Sequence, residues 1–249
     1  MALIHSLEKN GNFLFKYRGQ FPLLLFLCAI PVVYFTDYKL IKHNQKINIL
    51  ITSFAIFISF FGQYIRAIAI GTSHKATSGR NTKEQIAEAL NTKGIYSTLR
   101  HPLYLGNYFM WIGIIIYTCN IWFIIIATLL FWIYYERIMF AEERFLESKF
   151  GQQYLDWSLK VPAFIPSFKN YEKTSIKFSM KTILRREYSG VTATIIGFLF
   201  VDFLRRIFEQ RELTFEWYQG IILGIAILIT LILRTLKHKT KILFEEDRS

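Results

Sequence analysis

Six apolar runs divide this chain, and they limit what it can become more than any other feature. They are Phe21–Phe35, Ile47–Ile70, Leu103–Thr118, Ile121–Tyr135, Gly190–Leu204 and Tyr218–Leu233. A helix that crosses a bilayer needs about 20 predominantly apolar residues. Ile47–Ile70 is ample. The shorter runs reach the interface by borrowing flanking aromatic and long polar side chains. With 53% hydrophobic residues, the chain reads as an all-α polytopic transmembrane helix bundle of about six spans. The first run begins late and no small-x-small cleavage pattern follows it, so it reads as a retained helix. Pro31 is expected to kink it.

Charge orients the bundle. With the amino terminus inside, the inner segments are 1–20, 71–101, 136–189 and 234–249, and they hold most of the 30 Lys and Arg residues. The positive-inside rule then places both termini and the two long loops in the cytoplasm. Basic inner loops against anionic headgroups account for the net charge of +12 without nucleic acid as a partner. Cys28 and Cys119 lie in or beside different runs without metal spacing and read as small core residues. The five histidines are scattered, so no metal site is expected.

The chain divides after Ile165-Pro166. Residues 1–166 hold four spans and the polar clusters; residues 167–249 add a basic connector and two more spans. Thr82–Leu90 has the composition of one or two helical turns, and Ile95–Leu99 is β-prone. A tight turn at Cys119-Asn120 makes the third and fourth spans antiparallel neighbours. The fourth continues as an amphipathic helix to Phe150, with Gly151 as its C-cap.

Two polar clusters therefore meet on one side of the membrane. The first is Arg100-His101-Pro102-Leu103-Tyr104-Leu105-Gly106. Pro102 suits the first turn of a helix, whose free N–H groups and dipole, with Arg100 and His101, make an anion site. Tyr104 offers a hydroxyl or a stacking face, and Gly106 leaves a groove for a flat ring. The second cluster is Glu136, Arg137, Glu142 and Glu143. Its carboxylates can pair with an ammonium or sulfonium group, and Arg137 with an anionic substrate head. On charge and position alone, the commoner reading takes Arg100 and His101 as an inner anchor, Tyr104 as an aromatic-belt residue and the glutamates as a solvated face.

These residues, Gly94-x-Tyr96-x-x-x-Arg100-His101-Pro102-x-Tyr104-x-Gly106, then Glu142-Glu143-x-x-Leu146-x-x-x-Phe150-Gly151-x-x-Tyr154, then Val161-Pro162 and Pro166, resemble the isoprenylcysteine carboxyl methyltransferase family and the related phospholipid methyltransferases. The resemblance covers about Gly94 to Pro166. It implies a multi-pass membrane enzyme using S-adenosyl-L-methionine, with cytoplasmic cofactor-binding loops and a lipid or lipidated substrate. By the resemblance, Tyr96, Arg100, His101, Pro102, Tyr104, Gly106, Glu142 and Glu143 contact the cofactor. Glu143 and Arg137 are the candidate catalytic residues, although Arg137 stands one position from the family's arginine. Methyl transfer to a carboxylate, amine or phosphate head group needs alignment more than a strong base.

Two other readings fit the scaffold. Sterol reductases that use NADPH share an Arg-x-Pro-x-Tyr-x-Gly element, but their glycine is typically followed by Glu, where this chain has Asn107. A non-catalytic membrane protein is the third reading. The Lys, Ile and Asn bias suggests an AT-rich genome and the inner membrane of a bacterium. The two C-terminal spans exceed the compact family members and would wall a lipid cavity or form a homodimer contact.

Overall fold

The computed structural model describes residues 2–74, 85–211 and 216–245. All six apolar runs are helical. In order the helices are α1 (Leu3–Lys16), α2 (Phe21–Phe35), α3 (Lys39–His43), α4 (Gln45–Gly71), α5 (Pro102–Tyr117), α6 (Ile121–Phe150), α7 (Gln152–Ser158), α8 (Met180–Arg205) and α9 (Trp217–Lys239). There is no strand among the described residues. Three helices, α4, α6 and α9, are long and apolar enough to cross a membrane; α2 and α5 are shorter apolar helices. The chain is an integral membrane protein. Helix α8 has the length, but Lys181, Arg185, Arg186 and Glu187 make its first turns polar.

Local chemistry sets the ends. The Asn44, Asn120 and Ser179 side chains accept from the backbone N–H groups of Ile47, Phe123 and Thr182 and start α4, α6 and α8. Helix α2 runs on through Pro31. Gly151 ends α6 at a φ of 52°, a conformation that suits glycine. The 30 residues of α6 extend about 45 Å, so its polar end passes beyond a hydrocarbon core of about 30 Å.

Three expectations change. Ile95–Leu99 forms no strand: Gly94–Ser97 is a single 3-10 turn. The Ser97 and Thr98 hydroxyls bond back to the carbonyls of Gly94 and Ile95 at 2.7 Å each, which favours a turn over a ladder. Gln85–Leu90 is not helical, and Thr82–Glu84 lies outside the described residues. The two cysteines differ: Cys28 is exposed on α2, whereas Cys119, in the α5–α6 turn at a φ of 59°, is half-buried and packs against the core.

Helices α4 and α5 make the central pair. Their contact face is built from small residues, Ala55, Ser59 and Gly62 against Gly106 and Gly113. Helix α6 returns beside α5, and α1 lies along the polar half of α6, with Gly11 against the Arg137 carbonyl. Helix α8 packs on α2, α4 and α5, and α9 packs on α8. At the end away from the Arg100 loop, Asp202 accepts from the Tyr117 hydroxyl at 2.6 Å and from the fully buried Gln219, which fastens α9 to α8 and α5.

Candidate active site

Arg100 and His101 sit on a short extended loop held from both sides. The backbone N–H groups of Arg100 and His101 donate to the carbonyls of Pro162 and Ala163 at 2.9 and 3.1 Å. The prolines at 162 and 166 favour extended backbone before them, so this stretch can lie beside the loop. The Arg100 guanidinium then spends its donors on the protein. Nη1 donates to the Ser158 and Val161 carbonyls at 2.6 and 3.1 Å, and Nε and Nη2 grip the Glu143 carboxylate at 2.9 and 3.2 Å. Such a fork is directional and charge-assisted.

His101 adds a second hold on Glu143. Its Nε2 lies 2.8 Å from Glu143 Oε1 and its Nδ1 lies 3.6 Å from Glu142. An ionised carboxylate only accepts, so Nε2 carries the proton in this bond. The Tyr104 hydroxyl donates to Glu142 at 2.8 Å, and the Tyr104 ring stacks on His101 at 5.6 Å. The anion that Arg100 and His101 hold is thus the chain's own Glu143. The expected external-anion role at this helix start gives way to an internal clamp between the loop and α6.

The clamp frames a cavity of about 520 Å³, within the range of small-molecule sites. Tyr96, Arg100, His101, Pro102, Tyr104 and Glu142 all line it; Glu143, Gly106 and Arg137 do not. Glu143 stands behind the wall. Gly106 leaves no groove for a ring, because the Arg66 side chain and the Gly62 backbone fill the space beside it. Arg137 lies where α1 crosses α6, and its Nη1 donates to the Ile133 carbonyl at 3.2 Å. Arg137→Ala is therefore expected to change cofactor-analogue affinity by less than about twofold, as for a substitution away from the site. Calorimetric titration with S-adenosylhomocysteine checks this, and a tenfold loss would return Arg137 to the site.

The cavity also has walls that the sequence did not announce. Trp157 of α7 donates to the Tyr96 carbonyl at 3.3 Å. Arg66 of α4, Asn107 of α5 and Glu187 of α8 line the far side. Arg66 Nε and Nη2 grip Glu187 at 2.6 and 2.7 Å, and Nη1 donates to Asn107 at 2.6 Å. Arg66 was visible as a charge inside the longest apolar run, which marks a residue facing the bundle interior. Glu187, inside a basic stretch, gave no such signal. Two tyrosines outside the spans are held protonated. Burial, then the negative charge of Glu142, raises the Tyr96 phenol above its ordinary range; burial, then Glu143, does the same for Tyr154.

Residues 48–153 match a family model described as phospholipid methyltransferase. The protein-S-isoprenylcysteine O-methyltransferase of Saccharomyces cerevisiae is 28% identical over 167 residues, which cover 66% of this chain and 68% of the yeast protein. The enzyme of the same name in Schizosaccharomyces pombe is 35% identical over 111 residues, covering 42% of this chain and 45% of that protein. The Tribolium castaneum enzyme is 30% identical over 123 residues, covering 49% and 44%. The chain thus spans about two thirds of the yeast protein and under half of the other two. No solved structure matches.

Bundle, cavity and matches together define an integral membrane enzyme of the methyltransferase class. Within that class, residues 48–153 match the phospholipid methyltransferase family model, and the chain is similar to protein-S-isoprenylcysteine O-methyltransferases.

Proposed function

We propose that this protein transfers a methyl group from S-adenosylmethionine to a lipid-linked carboxylate at the cytoplasmic membrane face. One observation carries the reading. A single cavity joins the Arg100–Tyr104 loop to Glu142 and opens toward Arg66 on α4. Its donor set fits S-adenosylmethionine, a molecule with a flat base, an ammonium, a carboxylate and a sulfonium. Glu142 answers a positive group; Tyr96 and Trp157 offer aromatic faces.

When bound, S-adenosylmethionine supplies an electrophilic methyl carbon whose transfer leaves a neutral thioether. The chain's residues do the positioning. Arg100, Glu143 and His101 fix the loop, so that Tyr96, Tyr104 and Glu142 face the cavity in one arrangement. Glu142 stabilises positive charge at the donor end. Arg66 presents positive charge at the other end, where an ionised acceptor oxygen needs no base. The carboxylate as acceptor rests on the names of the relatives; the basic loops that hold the site support the cytoplasmic face.

The test is thermal stabilisation of the purified protein by S-adenosylhomocysteine, followed by transfer of tritium from labelled S-adenosylmethionine to an S-farnesylcysteine carboxylate. Stabilisation by NADPH instead would revive the reductase reading. Glu142→Ala is expected to weaken S-adenosylhomocysteine at least about tenfold, the loss of one interaction with a charged group. Its thermal stability should change little, since Glu142 is partly exposed and accepts one hydrogen bond from a neutral hydroxyl.

A further inference from the structure

Helix α8 lies wholly beyond residues 48–153, the part that matches the family model, yet it builds one wall of the cavity. Its contribution is specific. Glu187 is buried, with 4% of its surface exposed, and it grips the Arg66 guanidinium with both carboxylate oxygens. A guanidinium has five N–H donors in a rigid fork. Glu187 takes two, and Asn107 and the Leu103 carbonyl take two more. Arg66 thus keeps a single donor, on Nη2, in a cavity it lines. It can offer one hydrogen bond to an acceptor oxygen, but no second fork to a carboxylate. Gly190 lines the cavity beside the pair, and a Cβ there would make ordinary contacts with Glu187 Oε2, Met110 and Gln63 at 3.6 to 3.8 Å. Ser189, also on the wall, is exposed.

We propose that α8 forms the acceptor-binding half of the cavity: Glu187 is a positioning residue that aims the one remaining N–H of Arg66 at an anionic, lipid-linked head group, which sits against the wall at Gly190. The proposal rests on the methyltransferase reading above. It assigns acceptor selection to a helix outside the matched core and leaves methyl-donor binding to the loop and α6.

The experiment uses the full chain in vesicles of phosphatidylethanolamine and phosphatidylglycerol, with S-farnesylcysteine as the added acceptor. Two quantities are read for each variant: S-adenosylhomocysteine affinity and the KM for acceptor. Gly190→Leu keeps both residues of the ion pair and adds bulk to the wall beside it. It should raise the acceptor KM about tenfold or more with donor-analogue affinity unchanged. Glu187→Gln should raise the acceptor KM likewise, with partial rescue by Glu187→Asp. An unchanged acceptor KM in Gly190→Leu overturns the proposal, as does an equal loss of donor and acceptor binding in both Gly190→Leu and Glu187→Gln. A parent that binds S-adenosylhomocysteine but methylates neither S-farnesylcysteine nor vesicle lipid overturns the acceptor assignment alone. A parent that does not bind S-adenosylhomocysteine overturns the reading beneath it.

Discussion

Glu143→Ala is expected to abolish S-adenosylhomocysteine binding and to lower thermal stability, although Glu143 does not line the cavity. The substitution removes the carboxylate that Arg100 grips as a fork and the partner of His101 Nε2. Arg100 and His101 keep 16% and 5% of their side-chain surface exposed, so neither recovers water fully. Breaking a buried pair by deleting one partner costs about 3–5 kcal/mol. Glu143 is 25% exposed, which puts the effect near the lower bound, about 3 kcal/mol. Glu142→Ala provides the contrast: binding falls and stability holds. Arg100→Lys should resemble Glu143→Ala, because an ammonium cannot reproduce the fork. Thermal unfolding in detergent with and without S-adenosylhomocysteine separates the cases. A stable Glu143→Ala protein with parental affinity would remove the clamp from the account.

Gly62→Ala should be as damaging, by a different route. A Cβ at position 62 would lie 2.5 Å from the Gly106 carbonyl oxygen and 2.6 Å from the Met110 backbone nitrogen. Both are backbone atoms of a helix and cannot swing aside. At Gly113 the same methyl would strike the Ala55 carbonyl and the Ser59 hydroxyl. Overpacking commonly costs about 1–3 kcal/mol, and rigid backbone on both sides puts these positions at or beyond the top of that range. The yield of folded, monodisperse protein should collapse for Gly62→Leu and fall clearly for Gly62→Ala. Gly224→Ala on α9, where a Cβ meets nothing within 4 Å, serves as the tolerated control. Equal yields for Gly62→Ala and Gly224→Ala would mean that α4 and α5 do not pack as closely as described.

These outcomes bear on how far the sequence could be read. Apolar runs of fixed length leave little choice in a bilayer, since backbone polar groups there must pair within the helix. All six runs are helices for that reason. The Cys119-Asn120 turn and the Gly151 cap were legible because turns and caps depend on a few adjacent residues. Ile95–Leu99 misled because β propensity describes packing on a neighbouring strand, and none exists there. Arg137 and Gly106 misled in another way. A residue's place along a helix gives its approximate face, but not what packs on that face. Helix α1 covers α6 at Arg137, and Arg66 covers α5 at Gly106.

The sequence by itself determined a helical membrane bundle, the meeting of Arg100–Tyr104 with Glu142 and Glu143, and the resemblance that the family match bears out. Each follows from local periodicity, or from elements joined by a short hairpin. Only the tertiary structure decided which glutamate faces the cavity, that Glu143 is the anion Arg100 holds, and that Glu187 reaches Arg66 across 121 positions. Contacts between residues so far apart depend on helix rotation and crossing. Those are set by side-chain volume at many positions together, as in the Gly62–Gly106 contact, and no short stretch of sequence carries that information.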